Sequence, residues 1–74
     1  MKRFYKYKGP IVVNGKLATG RYSCEVVSEN IHDALFLVCS DYRKNYFEKF
    51  KDDNINKAKI TASAKYLQAG EITA

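Results

Sequence analysis

The chain has no tryptophan, one histidine, one proline, one methionine and two cysteines among its 74 residues, and each shortage removes a class of explanation. Cys24, Cys39 and His32 stand in unrelated spacings, which do not make a zinc motif. The two cysteines are read as reduced, buried thiols acting as small hydrophobes on facing segments, with a disulfide as the alternative. The longest apolar run, Ala34 to Cys39, falls far short of a membrane-spanning helix. The start, Met1 to Lys8, has neither an apolar stretch nor the small-residue cleavage site of a secretory signal, so a cytosolic location is the expectation. Four glycines form no phosphate-cradling loop and no nucleophile elbow. No catalytic activity and no cofactor are expected.

Acidic residues are missing from the first 22 positions, while Lys2, Arg3, Lys6, Lys8, Lys16 and Arg21 lie there. From Ser23 to Asp53 acids outnumber cations, with Glu25, Glu29, Asp33, Asp41, Glu48, Asp52 and Asp53 set against Arg43, Lys44, Lys49 and Lys51. The remainder is basic again through Lys57, Lys59 and Lys65, and the formal net charge is +5. Basic segments that read as strands and an acidic one that reads as a helix imply a cationic side, which suits a polyanionic partner.

What is present in quantity is aromatic: six tyrosines and four phenylalanines, with 46% of residues hydrophobic. That load argues for a folded domain rather than a basic disordered tail. The length has room for one small α+β domain over 1–74, with 67–74 expected as a loose tail.

Tyr5 and Tyr7 alternate with Phe4, Lys6 and Lys8, a strand period that turns the tyrosines inward because burying lysines is costly. Gly9-Pro10 interrupts the ladder, since proline has no amide hydrogen to give, and Ile11 to Val13 resume it. Asn14-Gly15 is a strong hairpin signal of the type I′ class. The returning strand runs from about Lys16 to Val27, with Gly20 as a bulge. Tyr22, Cys24 and Val26 share one face, and Arg21, Ser23, Glu25 and Val27 the other.

Asn30 reads as a helix N-cap, and Ile31, Ala34, Leu35, Val38, Cys39, Tyr42 and Tyr46 follow at helical spacing. The helix should fray near Phe50, ahead of Asp52-Asp53-Asn54. Ile55 to Tyr66 alternates again, with Ala58, Ile60, Ala62, Ala64 and Tyr66 inward and Lys57, Lys59, Thr61, Ser63 and Lys65 outward. The expected fold is β-β-α-β, an antiparallel sheet of order 2-1-3 with the helix on one face and the other face open.

That open face gathers Phe4, Lys6, Lys8, Arg21, Lys57, Lys59 and Lys65. Lysine and arginine suit phosphate groups, and Phe4 suits stacking on an unpaired base. Nucleic acid or an acidic protein is therefore the candidate partner, against the plainer reading of lysines that keep an exposed sheet soluble. His32, at the helix start, has no nucleophile beside it. Asp52, Asn54 and Asn56 imitate the opening of a calcium loop, but Lys57 replaces its glycine and Ser63 its closing glutamate, which leaves a turn. Phe36, Phe47 and Phe50 flank the helix stripe. They curl under as core, or else form an apolar patch for a partner, a homodimer, or a host factor inhibited by a phage or mobile-element protein.

The opening Lys2-Arg3-Phe4-Tyr5-Lys6-Tyr7-Lys8-Gly9, the Asn14-Gly15-Lys16 turn and the passage from Tyr22 to Ala34 resemble the small archaeal ribosomal protein LX group and its eukaryotic large-subunit relatives. The resemblance covers roughly the first half of the chain and implies the same β-β-α-β order. Where that group has a basic stretch between helix and last strand, this chain has the mostly acidic Phe50-Lys51-Asp52-Asp53-Asn54, so the implication stops at the fold.

Overall fold

The computed structural model describes residues 2–70. Two long strands, β1 (Arg3–Val13) and β2 (Lys16–Ser28), form an antiparallel hairpin. Asn14 and Gly15 turn it with φ of 52° and 81°, the paired positive values that a type I′ turn requires. The helix α1 (Ile31–Phe50) follows, and then two short strands, β3 (Ile60–Ala62) and β4 (Leu67–Ala69), both antiparallel to β1. The sheet runs β2-β1-β3, with β4 beside β1 further along the same edge. This is the α+β architecture expected, with the helix packed on one face of the sheet.

Side-chain alternation decides which face is covered. Tyr5, Tyr7 and Ile11 are buried, while Lys6 and Lys8 between them are exposed. Tyr22, Cys24 and Val26 of β2 pack toward the core formed by Tyr7, Ile11, Val38, Tyr42, Ile55 and Ile60. The register shifts between Gly9 and Ile11, where β1 advances by two residues and β2 by three, from Tyr22 to Thr19. The extra residue places a bulge at Gly20–Arg21, opposite Pro10.

The helix begins where Asn30 accepts the Asp33 amide on its side chain, at 2.8 Å. It ends at Phe50, with Lys51 in the left-handed region at φ 55°. Ala34, Val38 and Tyr42 are the buried residues of the expected stripe; Leu35, Cys39 and Tyr46 are half-buried and Ile31 is exposed. Arg43 leaves its helix flank to bind the next segment. Its Nε donates to the Ile55 carbonyl at 3.1 Å and its Nη2 to that of Ala58 at 2.9 Å.

Two expectations are corrected beyond the helix. The unbroken third strand from Ile55 to Tyr66 is instead a 3-10 turn (Asp53–Asn56), the short β3, and a second 3-10 turn (Ala64–Tyr66). β1 pairs with β3 through Ile11–Val13 and with β4 through Tyr5–Tyr7, so Lys8, Gly9 and Pro10 have no strand beside them on that edge. Proline offers no amide there, and Tyr7 fills the gap. Its hydroxyl donates to the Pro10 carbonyl at 2.6 Å and accepts from the Ser63 amide at 3.3 Å. The loose tail is also corrected where it is described. Leu67–Ala69 is a strand, and the Gly70 amide donates to the Phe4 carbonyl at 2.5 Å; residues 71–74 lie outside the described residues.

Candidate nucleic-acid interface

Cross-strand pairing builds the uncovered face. Lys6 stands between Glu25 of β2 and Gln68 of β4, and Lys8 stands opposite Ser23. Lys6 Nζ lies 3.8 Å from Glu25 Oε1, with both side chains more than half exposed, so the pair contributes little and leaves the ammonium free to exchange partners. Next along the face come Phe4 and Val27, paired with each other; Phe4 is half-buried and Val27 exposed.

The second 3-10 turn adds the rest. Ser63 caps it by accepting the Lys65 amide at 3.3 Å, which ends the alternation and redirects the two residues that follow. Alternation places Ala64 and Tyr66 on the inner side, and both are exposed instead. Tyr66 packs on Gly9: a β-carbon at residue 9 would come within 2.7 Å of the Tyr66 Cβ. Its ring meets Tyr7 edge-on, with centroids 6.5 Å apart. Lys65 Nζ lies 6.0 Å from the Tyr66 centroid, within the range of a cation–π contact.

Two adjoining hollows meet at this ring. Lys6, Lys8, Ser23, Glu25, Lys65, Tyr66 and Gln68 line the first, together with Tyr7 and Cys24. Lys8, Gly9, Pro10, Gly20, Arg21 and Tyr66 line the second. Lys6, Lys8, Arg21 and Lys65, four of the residues singled out in the sequence, therefore converge on one exposed aromatic, with Glu25 the one acid lining either hollow. Like-signed groups on a concave apolar surface raise the local concentration of anions.

The other candidates lie elsewhere. Lys59 pairs with Asn14 at the hairpin turn, its amide donating to the Asn14 side chain at 2.9 Å. Eight strand residues separate that level from Lys6, about 26 Å at the usual rise per residue. Lys57 caps the first 3-10 turn, outside any strand. Phe4 stays on the sheet face but is not among the residues lining the hollows; Tyr66 takes the central place that the sequence pattern gave to Phe4.

The helix-covered side carries a different cluster. The Tyr22 hydroxyl donates to Asp41 Oδ2 at 2.5 Å and accepts from the Asn45 amide at 2.8 Å. Burial first, and then the bond to Asp41, push the Tyr22 phenol far above its ordinary value. Burial, helped by the Asp41 charge, also lifts the Cys24 thiol to about 11, and burial raises Cys39. Both cysteines are free thiols, each of lowered reactivity because the thiolate is disfavoured. His32 is exposed in the first helical turn.

Phe36, Phe47 and Phe50 do not join the core. They are 71%, 37% and 57% exposed, and Phe50 packs on Tyr46 with centroids 4.7 Å apart. Eleven residues of helix set Phe36 about 16 Å along the axis from Phe47. Among the described residues no helix is long and apolar enough to cross a membrane. Compared with protein-family models, curated proteins and solved structures, the chain matches none.

Proposed function

We propose that the chain is a small, non-enzymatic binding module that takes a nucleic acid, or another polyanion, on the uncovered face of its sheet. The observation that carries this reading is the convergence of Lys6, Lys8, Arg21 and Lys65 on the exposed ring of Tyr66. The cations meet backbone phosphates, and the tyrosine offers a stacking surface that accepts any unpaired base. Phe4 extends the face at one end. Lys57 and Lys59 act at most as distant contributors to the field.

Fluorescence anisotropy with labelled single-stranded oligonucleotides at several salt concentrations tests it. About four phosphate contacts give a log–log slope near −3. Tyr66→Ala lowers affinity by about 1–3 kcal/mol if a base stacks there, whereas Lys57→Ala leaves it nearly unchanged. An absence of binding to single- or double-stranded polymers at low salt removes the proposal.

The exposure of Phe36, Phe47 and Phe50 favours a second reading, a protein-interaction module that captures its partner through the helix. Replacing all three with serine separates the two readings. Lost partner capture with retained oligonucleotide binding supports the second, and the reverse outcome supports the first.

A further inference from the structure

The two edges of the sheet are treated differently. β1 is covered along one side by β3 and β4, whereas β2, thirteen residues long, pairs on one side alone among the described residues. Chains usually guard such an edge with lysine, proline or a bulge. Here a bulge at Gly20–Arg21 ends the regular edge at Arg21, and from Tyr22 to Ser28 the only charged residue is Glu25. Ordered, regular and nearly neutral strand backbone is thus left open.

We propose that the open edge of β2 is the pairing site for β2 of a second copy of this chain, antiparallel about a two-fold axis at Ser23. In an antiparallel pair, residues directly opposite share a face, so the symmetry axis must pass through a residue. Centring on Glu25 sets two carboxylates against each other, and centring on Cys24 leaves Glu25 opposite Ser23. Centring on Ser23 places Arg21 of each copy opposite Glu25 of the other, on the outer face where both are exposed. Two reciprocal charge pairs result from one register, an arrangement that favours it over its neighbours.

A two-fold axis perpendicular to the sheet keeps both helices on one side and both basic faces on the other. The sheet becomes continuous, with the two tyrosine-centred hollows on a common surface. Glu25 exchanges Lys6 for the second copy's Arg21, which releases the Lys6 ammonium toward the hollow. A pairing this short buries an area at the low end for protein interfaces, so the dimer belongs to the weak class.

Sedimentation equilibrium of the whole chain, without nucleic acid, tests this from about 10 µM to 1 mM, the range in which weak interfaces populate. A monomer–dimer equilibrium is expected. Arg21→Glu and Glu25→Arg, each checked for folding by circular dichroism, each weaken it at least about tenfold by setting like charges opposite twice. The double variant carrying both restores it, because the pairs reform with their signs exchanged. Amide exchange at Tyr22–Glu25 slows as the chain is concentrated, which a dimer formed elsewhere does not produce. A monomer throughout the range overturns the proposal. So does a dimer indifferent to either single reversal, or a double variant that remains as weak as the singles.

Discussion

Tyr66 rests on Gly9: the space in which any other residue would carry its β-carbon is occupied by the tyrosine side chain. Gly9 has no positive φ, so its place in the middle of β1 is a matter of room rather than of backbone freedom. The contact holds the turn Ala64–Tyr66 against the stretch of β1 that β3 and β4 leave uncovered.

Gly9→Ala is therefore expected to destabilise the chain by about 1–3 kcal/mol through overpacking. An alanine in an unobstructed strand would instead stabilise it by about 0.5–1 kcal/mol, so the sign of the change in a urea midpoint decides whether the contact exists. The same variant moves the Tyr66 ring and should weaken oligonucleotide binding along with stability.

Stability is expected to fall as pH rises past about 9. Tyr7, Tyr22, Tyr42, Cys24 and Cys39 all hold their protons more tightly when folded, chiefly because burial disfavours the charged form. Above the ordinary values of 9.0 for the thiols and 10.0 for the phenols, the unfolded chain loses those protons while the folded one keeps them. The unfolded state then binds fewer protons and ΔG of unfolding declines with pH. Tyr22→Phe should cost about 1–2 kcal/mol at neutral pH by leaving Asp41 and Asn45 without their shared partner, and should flatten the alkaline decline. Thermal melts between pH 7 and 11 measure both.

Arg43→Lys is expected to lose about 1–3 kcal/mol despite keeping the charge. The guanidinium spans the carbonyls of Ile55 and Ala58 with two nitrogens at once, and an ammonium is a single point. Loss of the fork unties the first 3-10 turn from α1, so amide exchange should quicken at Lys57 and Ala58, whose amides donate within that turn. No change in either readout argues against a structural role for Arg43.

Lys51→Gly should stabilise the chain by about 1 kcal/mol. Lys51 ends α1 at φ 55° with its amide donating to the Phe47 carbonyl at 2.8 Å, a conformation that costs a side-chain-bearing residue and suits glycine. A lower melting temperature for the glycine variant would show that the lysine side chain contributes more than the backbone strain removes.

Much of the architecture was legible in local patterns. The tyrosine–lysine alternation of β1, the Asn14-Gly15 turn, the Asn30 cap and the helical spacing from Ala34 to Tyr46 each report a preference that neighbouring residues satisfy among themselves. The last third was harder to read for a definite reason. From Ile55 to Tyr66 an alternating pattern meets an edge of β1 that has no amide to offer at Pro10, so pairing stops after Ala62 and the capping preference of Ser63 prevails. Ser63 ahead of two residues that form a turn was the available signal, masked by the regular lysine spacing on either side.

Sequence alone determined that cations would lie outward on the first two strands and that tyrosines would lie beneath the helix, because burying a lysine costs far more than burying a phenol. Tertiary structure alone decided which cations share a site. Residues 6, 8, 21 and 65 become neighbours through strand register and through a ring seated on Gly9, whereas Lys59 is carried to the far end of the hairpin. Proximity between distant segments depends on where pairing starts and stops, and that is settled by backbone hydrogen bonds whose partners lie some 50 residues away in the chain.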